Sequence, residues 1–264
     1  MDSDDLLVNT ALEELYQFAK NYDADVVYIE KEFRFVTAPD NPFPLPENIR
    51  LCVSQTGILH DRPIFETNNL TERIEKFSRF EIGLTAWEKL VRRDLLIENE
   101  IIFPNIRSGG DVAWTIQVLC CAKKFLRVPN AYYLYRQNPT SIMNNKRTAR
   151  EEIDFWLSIE ADGIKFLNGW LSAREFFQQN PQCKWILMEA FDRCHFKLII
   201  DSASKLQPHE VYQVLESKFD NIFSDNGKLI AYFCTSLNLT RLQWALAAQR
   251  VEELENKLKQ IQGS

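Results

Sequence analysis

The sequence predicts an α/β fold: a sheet-and-helix region over residues 1–145, followed by an all-helical region over residues 146–264. Three observations carry this. Before residue 145, short runs of β-branched and aromatic residues alternate with stretches of helical period. After it, almost every stretch has helical period. The chain has 264 residues, 45% of them apolar and 26% charged, which is ordinary globular usage. A chain of this length buries roughly 70–75% of its unfolded surface, so it folds without disulfides or metals as staples.

The elements follow in order. Thr10-Ala11-Leu12-Glu13 reads as a capping box opening a helix, with Leu12, Leu15, Tyr16 and Ala19 as its apolar stripe. Asp25-Val26-Val27-Tyr28-Ile29 reads as a strand. Four prolines within residues 38–48 (Pro39, Pro42, Pro44 and Pro46) predict a loop. Ile49–Ser54 reads as a short strand, and Leu70–Phe77 as a helix capped by Asn69. Trp87–Val91 reads as a strand running into a helix over Arg93–Asn99. Ile101–Pro104 is extended, and Ser108-Gly109-Gly110-Asp111 is a turn opening a helix to about Lys124. Leu126–Val128 and Ala131–Arg136 are strand-like. The tail predicts helices over 148–178, 182–204, 208–219, 226–236 and 240–261. In the last of these Trp244, Ala247, Val251, Leu254, Leu258 and Ile261 alternate spacings of three and four. That pattern fits a short coiled coil over 240–262, or an end helix docked on its own domain.

Charge and composition exclude several classes. Lys plus Arg total 31 against 37 Asp plus Glu, a net charge of −6. The sequence pI is near 5.3, which argues against a dedicated nucleic-acid binder. The acidic start, Met1-Asp2-Ser3-Asp4-Asp5, is unlike the basic n-region of a secretory signal, and no run approaches a spanning helix. The six cysteines form no Cys-x-x-Cys pair and the three histidines are scattered, so the thiols read as reduced and the protein as cytoplasmic.

Three groups of residues could carry chemistry. Asp2, Asp4 and Asp5 can turn carboxylates toward one hard divalent cation, which takes oxygen ligands and shares them with substrate phosphates. The same cluster also reads as an exposed acidic terminus capping the helix ahead of it. Asp111 follows two glycines at a helix start, where the helix dipole favours its ionised form. It could act as a general base toward a hydroxyl, or as an ordinary N-terminal Asp. Arg136 ends a strand beside a polar turn, where a guanidinium could bind phosphate oxygens or pair with a neighbouring acid.

Taken in order, these segments resemble the C-terminal part of inverting family 2 glycosyltransferases of the bacterial polysaccharide type. The resemblance covers residues 2–141. It is carried by Asp2-Ser3-Asp4-Asp5, the Asp25-Val26-Val27 strand, Trp87-Glu88-Lys89-Leu90-Val91-Arg92-Arg93-Asp94-Leu95-Leu96, Ile101-Ile102-Phe103-Pro104, Gly109-Gly110-Asp111 and the Tyr135-Arg136 to Ser141 turn. It implies a partial GT-A sheet, and it implies that a nucleotide-binding half precedes the acidic element. It further implies a nucleotide-sugar donor, a saccharide or lipid-linked saccharide acceptor, and a divalent cation (Mn²⁺ or Mg²⁺) placed by Asp2, Asp4 and Asp5. Asp111 would deprotonate the acceptor, Trp87 would stack on a sugar, and Arg136 would steady the leaving diphosphate. Peripheral association with the inner membrane face, and self- or partner association through the last helix, complete the expectation. The family has Glu where this chain has Gly110. The alternative is a non-catalytic interaction module derived from such an enzyme.

Overall fold

Two long strands, β2 (Val26–Phe35) and β6 (Phe125–Arg136), run parallel from Val26 beside Phe125 to Phe35 beside Arg136, and the rest of the sheet is arranged on them. In this computed structural model the described residues are 2, 4–35, 51–137, 146–219 and 250–251. The expected 38–48 loop, the 226–236 helix and the coiled coil over 240–262 lie outside them, apart from helical residues 250–251.

Each outer side of the β2–β6 pair is shared by two short antiparallel strands. β1 (Leu6–Leu7) and β4 (Ile64–Phe65) flank β6, while β3 (Leu51–Val53) and β5 (Lys89–Val91) flank β2. Asp25 sets the common start of the long strands, because its carboxylate accepts the amides of Lys123 and Lys124, both at 2.9 Å. The two strand-like runs expected at 126–128 and 131–136 are one strand. The register shifts twice around Lys31, leaving extra residues on β6 at Pro129-Asn130 and at Tyr132. A proline inside a strand belongs at such a bulge, since it has no N–H to give.

Alternation along β6 divides its tyrosines between the two faces of the sheet. Tyr132 turns toward α1 (Ala11–Asn21) and donates to Glu14 at 2.6 Å. On that face Ala11, Leu15, Val27, Ile29, Leu126 and Val128 form the core. The apolar stripe expected on α1 is corrected here. Leu12 and Tyr16 are 65% and 54% exposed, and the helix buries Ala11 and Leu15 with Phe18 and Ala19 packed beside them. Positions 11, 15, 18 and 19 form one stripe at helical spacing, and 12 and 16 lie about 100° round from it. Thr10 makes no cap bond, so the capping box does not form.

The other face carries Tyr28, Glu30, Glu32 and Arg34 from β2. It is covered in part by α2 (Leu70–Ser78) and α4 (Gly110–Cys121), and α3 (Arg93–Glu98) follows β5. Asn69 caps α2 as expected, accepting the Glu72 amide. Arg73 of α2 is 1% exposed and donates to the carbonyls of Leu119 and Ala122 at the end of α4. These are the carbonyls a helix C-terminus leaves without partners, and a cation there also meets the negative end of the dipole.

A buried charge network lies on the same face. Glu66 accepts from Arg127 (2.8 Å), Tyr28 (2.6 Å) and Lys76 (3.0 Å). Glu30 accepts the His60 amide at 2.9 Å, pairs with the His60 ring, and lies 3.7 Å from Arg127. Burial acts to raise the Glu66 carboxyl, but the charge of Arg127 and these hydrogen bonds bring it below its ordinary value.

The helical tail contributes to two compact units: residues 1–145 with 166–192, and residues 146–165 with 193–264. In the first, Arg174 ends α5 (Ala149–Ser172) by donating to the Trp170 carbonyl, and it also reaches the Asn99 carbonyl. The single helix expected over 148–178 is therefore α5 followed by α6 (Glu175–Gln179). In the second unit Trp156 stacks on His195, and His195 bonds the buried Glu160. Lys218 of α8 (Pro208–Phe219) pairs with Asp154 at 3.0 Å. α7 spans Pro181–Ala203.

Removing one member of a buried ion pair strands its partner's charge. Arg127→Met is expected to destabilise the first unit by about 3–5 kcal/mol in equilibrium urea unfolding. Adding Glu66→Gln to it is expected to recover part of that loss.

Candidate functional site

The carboxyl ends of parallel strands are where open α/β sheets bind ligands, because the loops there diverge and leave a crevice. In this chain that end carries most of the residues expected from the sequence. After the two bulges, Tyr133 lies opposite Glu32 and Tyr135 opposite Arg34, so these four side chains share the polar face. Glu32 is buried and accepts from Arg34 and from the Trp87 indole, each at 3.0 Å. The Trp87 ring stacks on Tyr133 and Tyr135, with centroids 6.0 and 5.6 Å away and planes within 25°.

The acidic segment is held against this end of β6. Asp5 is buried and accepts from the Tyr133 hydroxyl (2.6 Å) and the Arg136 amide (2.7 Å). Burial raises the Asp5 carboxyl, partly opposed by those two hydrogen bonds. The Arg136 side chain donates its Nε–H to the Asp4 carbonyl at 2.7 Å and lies over the Phe35 ring. The Asp2 amide donates to the Tyr133 hydroxyl at 3.2 Å. Asp5 and Arg136 thus anchor the segment, while Asp2 and Asp4 stay exposed. Among the described residues no group of three or more His, Cys, Asp or Glu is arranged around a common metal position.

Asp111 is the second residue of α4. Gly109 precedes it at φ 72°, a left-handed conformation that suits glycine. Burial pushes the Asp111 carboxyl up, and the amides of Val112 and of Asp111 itself pull it down. Lys89 also lowers it and Asp2 raises it. The net direction is upward, opposite to the effect expected of the helix terminus alone.

Sequence reading missed Glu32, Glu88, Lys89 and Tyr133. Lys89 donates to the carbonyls of Gly83 and Thr85 and pins the loop before β5. Glu88 is buried beside it and accepts from Thr85 at 2.8 Å. Burial pushes Glu88 up to about 7 and pulls Lys89 down to about 8. A cavity of about 470 Å³ lies elsewhere, lined by Tyr16, Asp23, Asp25 and Arg92 near the amino ends of β2 and β6. Its Asp23 is paired with Arg92 and Lys124.

Carboxylates and stacked aromatic rings gathered at the ends of two parallel strands make this the candidate site of an α/β sheet. In sequence the chain is similar to a glycosyltransferase, GlyG of Streptococcus pneumoniae serotype 4 (strain ATCC BAA-334 / TIGR4). The two are 29% identical over 146 residues, which cover 55% of this chain and 45% of GlyG. The aligned part is therefore less than half of that relative. No family model matches the chain. In structure it is similar to S. aureus TarS 1–349 in complex with UDP-GlcNAc, at 18% identity and a TM-score of 0.47, over 81% of this chain and 58% of that one. The same TarS fragment in complex with UDP gives 18% identity and a TM-score of 0.48, over 82% and 52%.

Two outcomes follow from the local geometry. A Cβ at Gly110 would sit 3.7 Å from the Pro104 carbonyl oxygen and 3.8 Å from Ile106 Cγ1, which is ordinary contact. Gly110→Ala is expected to stabilise the protein by about 0.4–1 kcal/mol in urea unfolding, by restricting the unfolded chain. The second concerns pH. Glu88 holds its proton more tightly folded, at about 7, than at its ordinary 4.5. The resulting stabilisation is complete below 4.5 and is lost as pH rises through about 7. Urea midpoints of the parent protein are expected to fall relative to Glu88→Gln across that interval. Parallel profiles would show that Glu88 does not titrate this way.

Proposed function

We propose that the chain is the acceptor-side part of an inverting, GT-A type family 2 glycosyltransferase that takes a nucleotide-diphospho-sugar donor. The observation that carries this reading is a chain 29% identical to a glycosyltransferase over 146 residues, with its acidic segment anchored by Asp5 to Tyr133 and Arg136 at the strand ends. Asp111 acts as general base. Its carboxyl is raised by burial, which makes it a better proton acceptor than a solvated Asp. It takes the proton of the acceptor hydroxyl, whose oxygen attacks the anomeric carbon while the diphosphate leaves from the opposite face. A single displacement of this kind inverts the configuration.

Asp2 and Asp4 are the residues that would hold a divalent cation. Magnesium-type ions commonly take one or two protein carboxylates and complete their shell with substrate phosphates and water, so two exposed carboxylates suit such an ion. Bound there, the cation would neutralise charge on the leaving diphosphate. Asp5 is left to its structural bonds with Tyr133 and Arg136. Arg136 acts first as the clamp on this segment. Trp87 has rings stacked against it from β6, so it supports the site floor and offers at most its remaining surface to a sugar. The acceptor would be a saccharide, free or lipid-linked, as in bacterial surface polysaccharide synthesis. Among the described residues no helix is long and apolar enough to cross a membrane.

The test is calorimetric titration with UDP and with GDP in Mn²⁺ of the chain joined to the nucleotide-binding half of a family 2 glycosyltransferase, paired with a sugar-transfer assay. Nucleotide binding is expected to need Mn²⁺ and to be lost in an Asp2→Asn, Asp4→Asn double variant. Asp111→Asn is expected to keep that binding and to lower transfer about 10²–10⁴-fold, as removal of a general base does. Transfer at the parent rate by Asp111→Asn would remove it from the mechanism.

A further inference from the structure

Phe103 is 58% exposed, yet the backbone beside it is fixed by hydrogen bonds and its ring is stacked on Trp114. The buried amide of Gln117 accepts the Ile102 N–H at 3.2 Å and donates to the Ile102 carbonyl at 2.8 Å, clamping the backbone beside Phe103 in both directions. The Phe103 ring then lies flat on Trp114, with centroids 5.0 Å apart and planes 11° from parallel. Trp114 is nearly buried, so it backs one face of Phe103 and leaves the other to solvent. Trp114 follows Asp111 by three residues and so adjoins it on the surface of α4. The Pro104 carbonyl lies 3.7 Å from the Cβ position of Gly110, which brings the same segment against the first turn of α4. Along α4 Trp114 and Asp111 are separated by a rise of ~4.5 Å, so the Phe103 ring is mounted beside the turn that carries Asp111.

A planar apolar surface next to a carboxylate is complementary to a pyranose. The axial C–H groups of one sugar face lie against the electron-rich face of an aromatic ring, while a ring hydroxyl donates to the carboxylate at its edge. A flat peptide or a lipid chain would not use Asp111 in this way. The rigid mounting serves binding too, because a ring already fixed in place loses little freedom when a ligand stacks on it.

We propose that the outer face of Phe103 is an acceptor subsite, on which one pyranose ring of the acceptor saccharide stacks with a hydroxyl directed to Asp111. This deepens the transferase reading and rests on it for the word acceptor. The stacking itself can be tested without it.

The experiment is saturation-transfer NMR on the full chain with methyl β-D-glucopyranoside and methyl β-D-galactopyranoside as probes, run beside the UDP–Mn²⁺ titration. The expected result is transfer concentrated on the C–H protons of one sugar face. Phe103→Leu should weaken it about tenfold and Phe103→Trp should retain it, the tenfold corresponding to one aromatic contact. Phe103→Leu keeps apolar bulk and half-exposed packing, and its thermal unfolding is compared with the parent as a folding control. Equal transfer in parent and Phe103→Leu, or no transfer to either probe, overturns the subsite. Phe103-dependent transfer without nucleotide binding leaves the sugar platform standing and removes the transferase reading. Nucleotide binding without Phe103-dependent transfer does the reverse.

Discussion

Parallel strands need pairing along their length and cover on both faces, and β2 and β6 meet that demand differently at their two ends. At the amino end the strands are joined through Asp25 and lie over an apolar core with α1. At the carboxyl end one face turns polar, and the pairing survives only because β6 absorbs two extra residues. Without them Tyr133 would lie opposite Arg34 instead of Glu32, because two one-residue slips together keep a side chain's face and change its partner. The pairing of Tyr133 with Glu32 and of Tyr135 with Arg34 depends on that register.

The polar face has an energetic consequence. Glu30, Glu32, Glu66, Glu88, Arg73 and Arg127 are all buried within the first unit. Each loses hydration on folding, and only close, hydrogen-bonded partners offset the loss. A row of apolar side chains in the same volume would be as stable or more so. What the charges supply is orientation: Glu32 sets the Trp87 ring, Glu88 and Lys89 set the loop before β5, and Arg127 joins β6 to the segment carrying Glu66.

The sequence made the alternation of strands and helices legible, because the switch in period is large and Gly, Pro and Asn mark its boundaries. Helices over 70–77, 93–99 and 208–219 fall where spacing and caps place them. The strand-end site was legible in part. The acidic segment, Trp87, Asp111 and Arg136 were visible as polar groups at element ends. The buried partners were not, because a Glu in a strand looks the same in sequence whether it faces water or Arg127. One signal was available. Tyr28, Glu30, Glu32 and Arg34 recur every second residue in a run whose other positions, Lys31 apart, are apolar, which marks one polar face on the strand. The bulges escaped because Pro129 reads as a strand break rather than as a defect within one strand.

The seat that Arg73 gives to the far end of α4 bears on how this site accommodates a guest. With its last carbonyls gripped by a guanidinium and its middle turns sealed from water, α4 is tied down at its far end and along its length. The strip of aspartates hangs from a two-residue strand and a few polar contacts. Of the two elements the helix is the more firmly seated, and the acidic strip has the fewer bonds to lose.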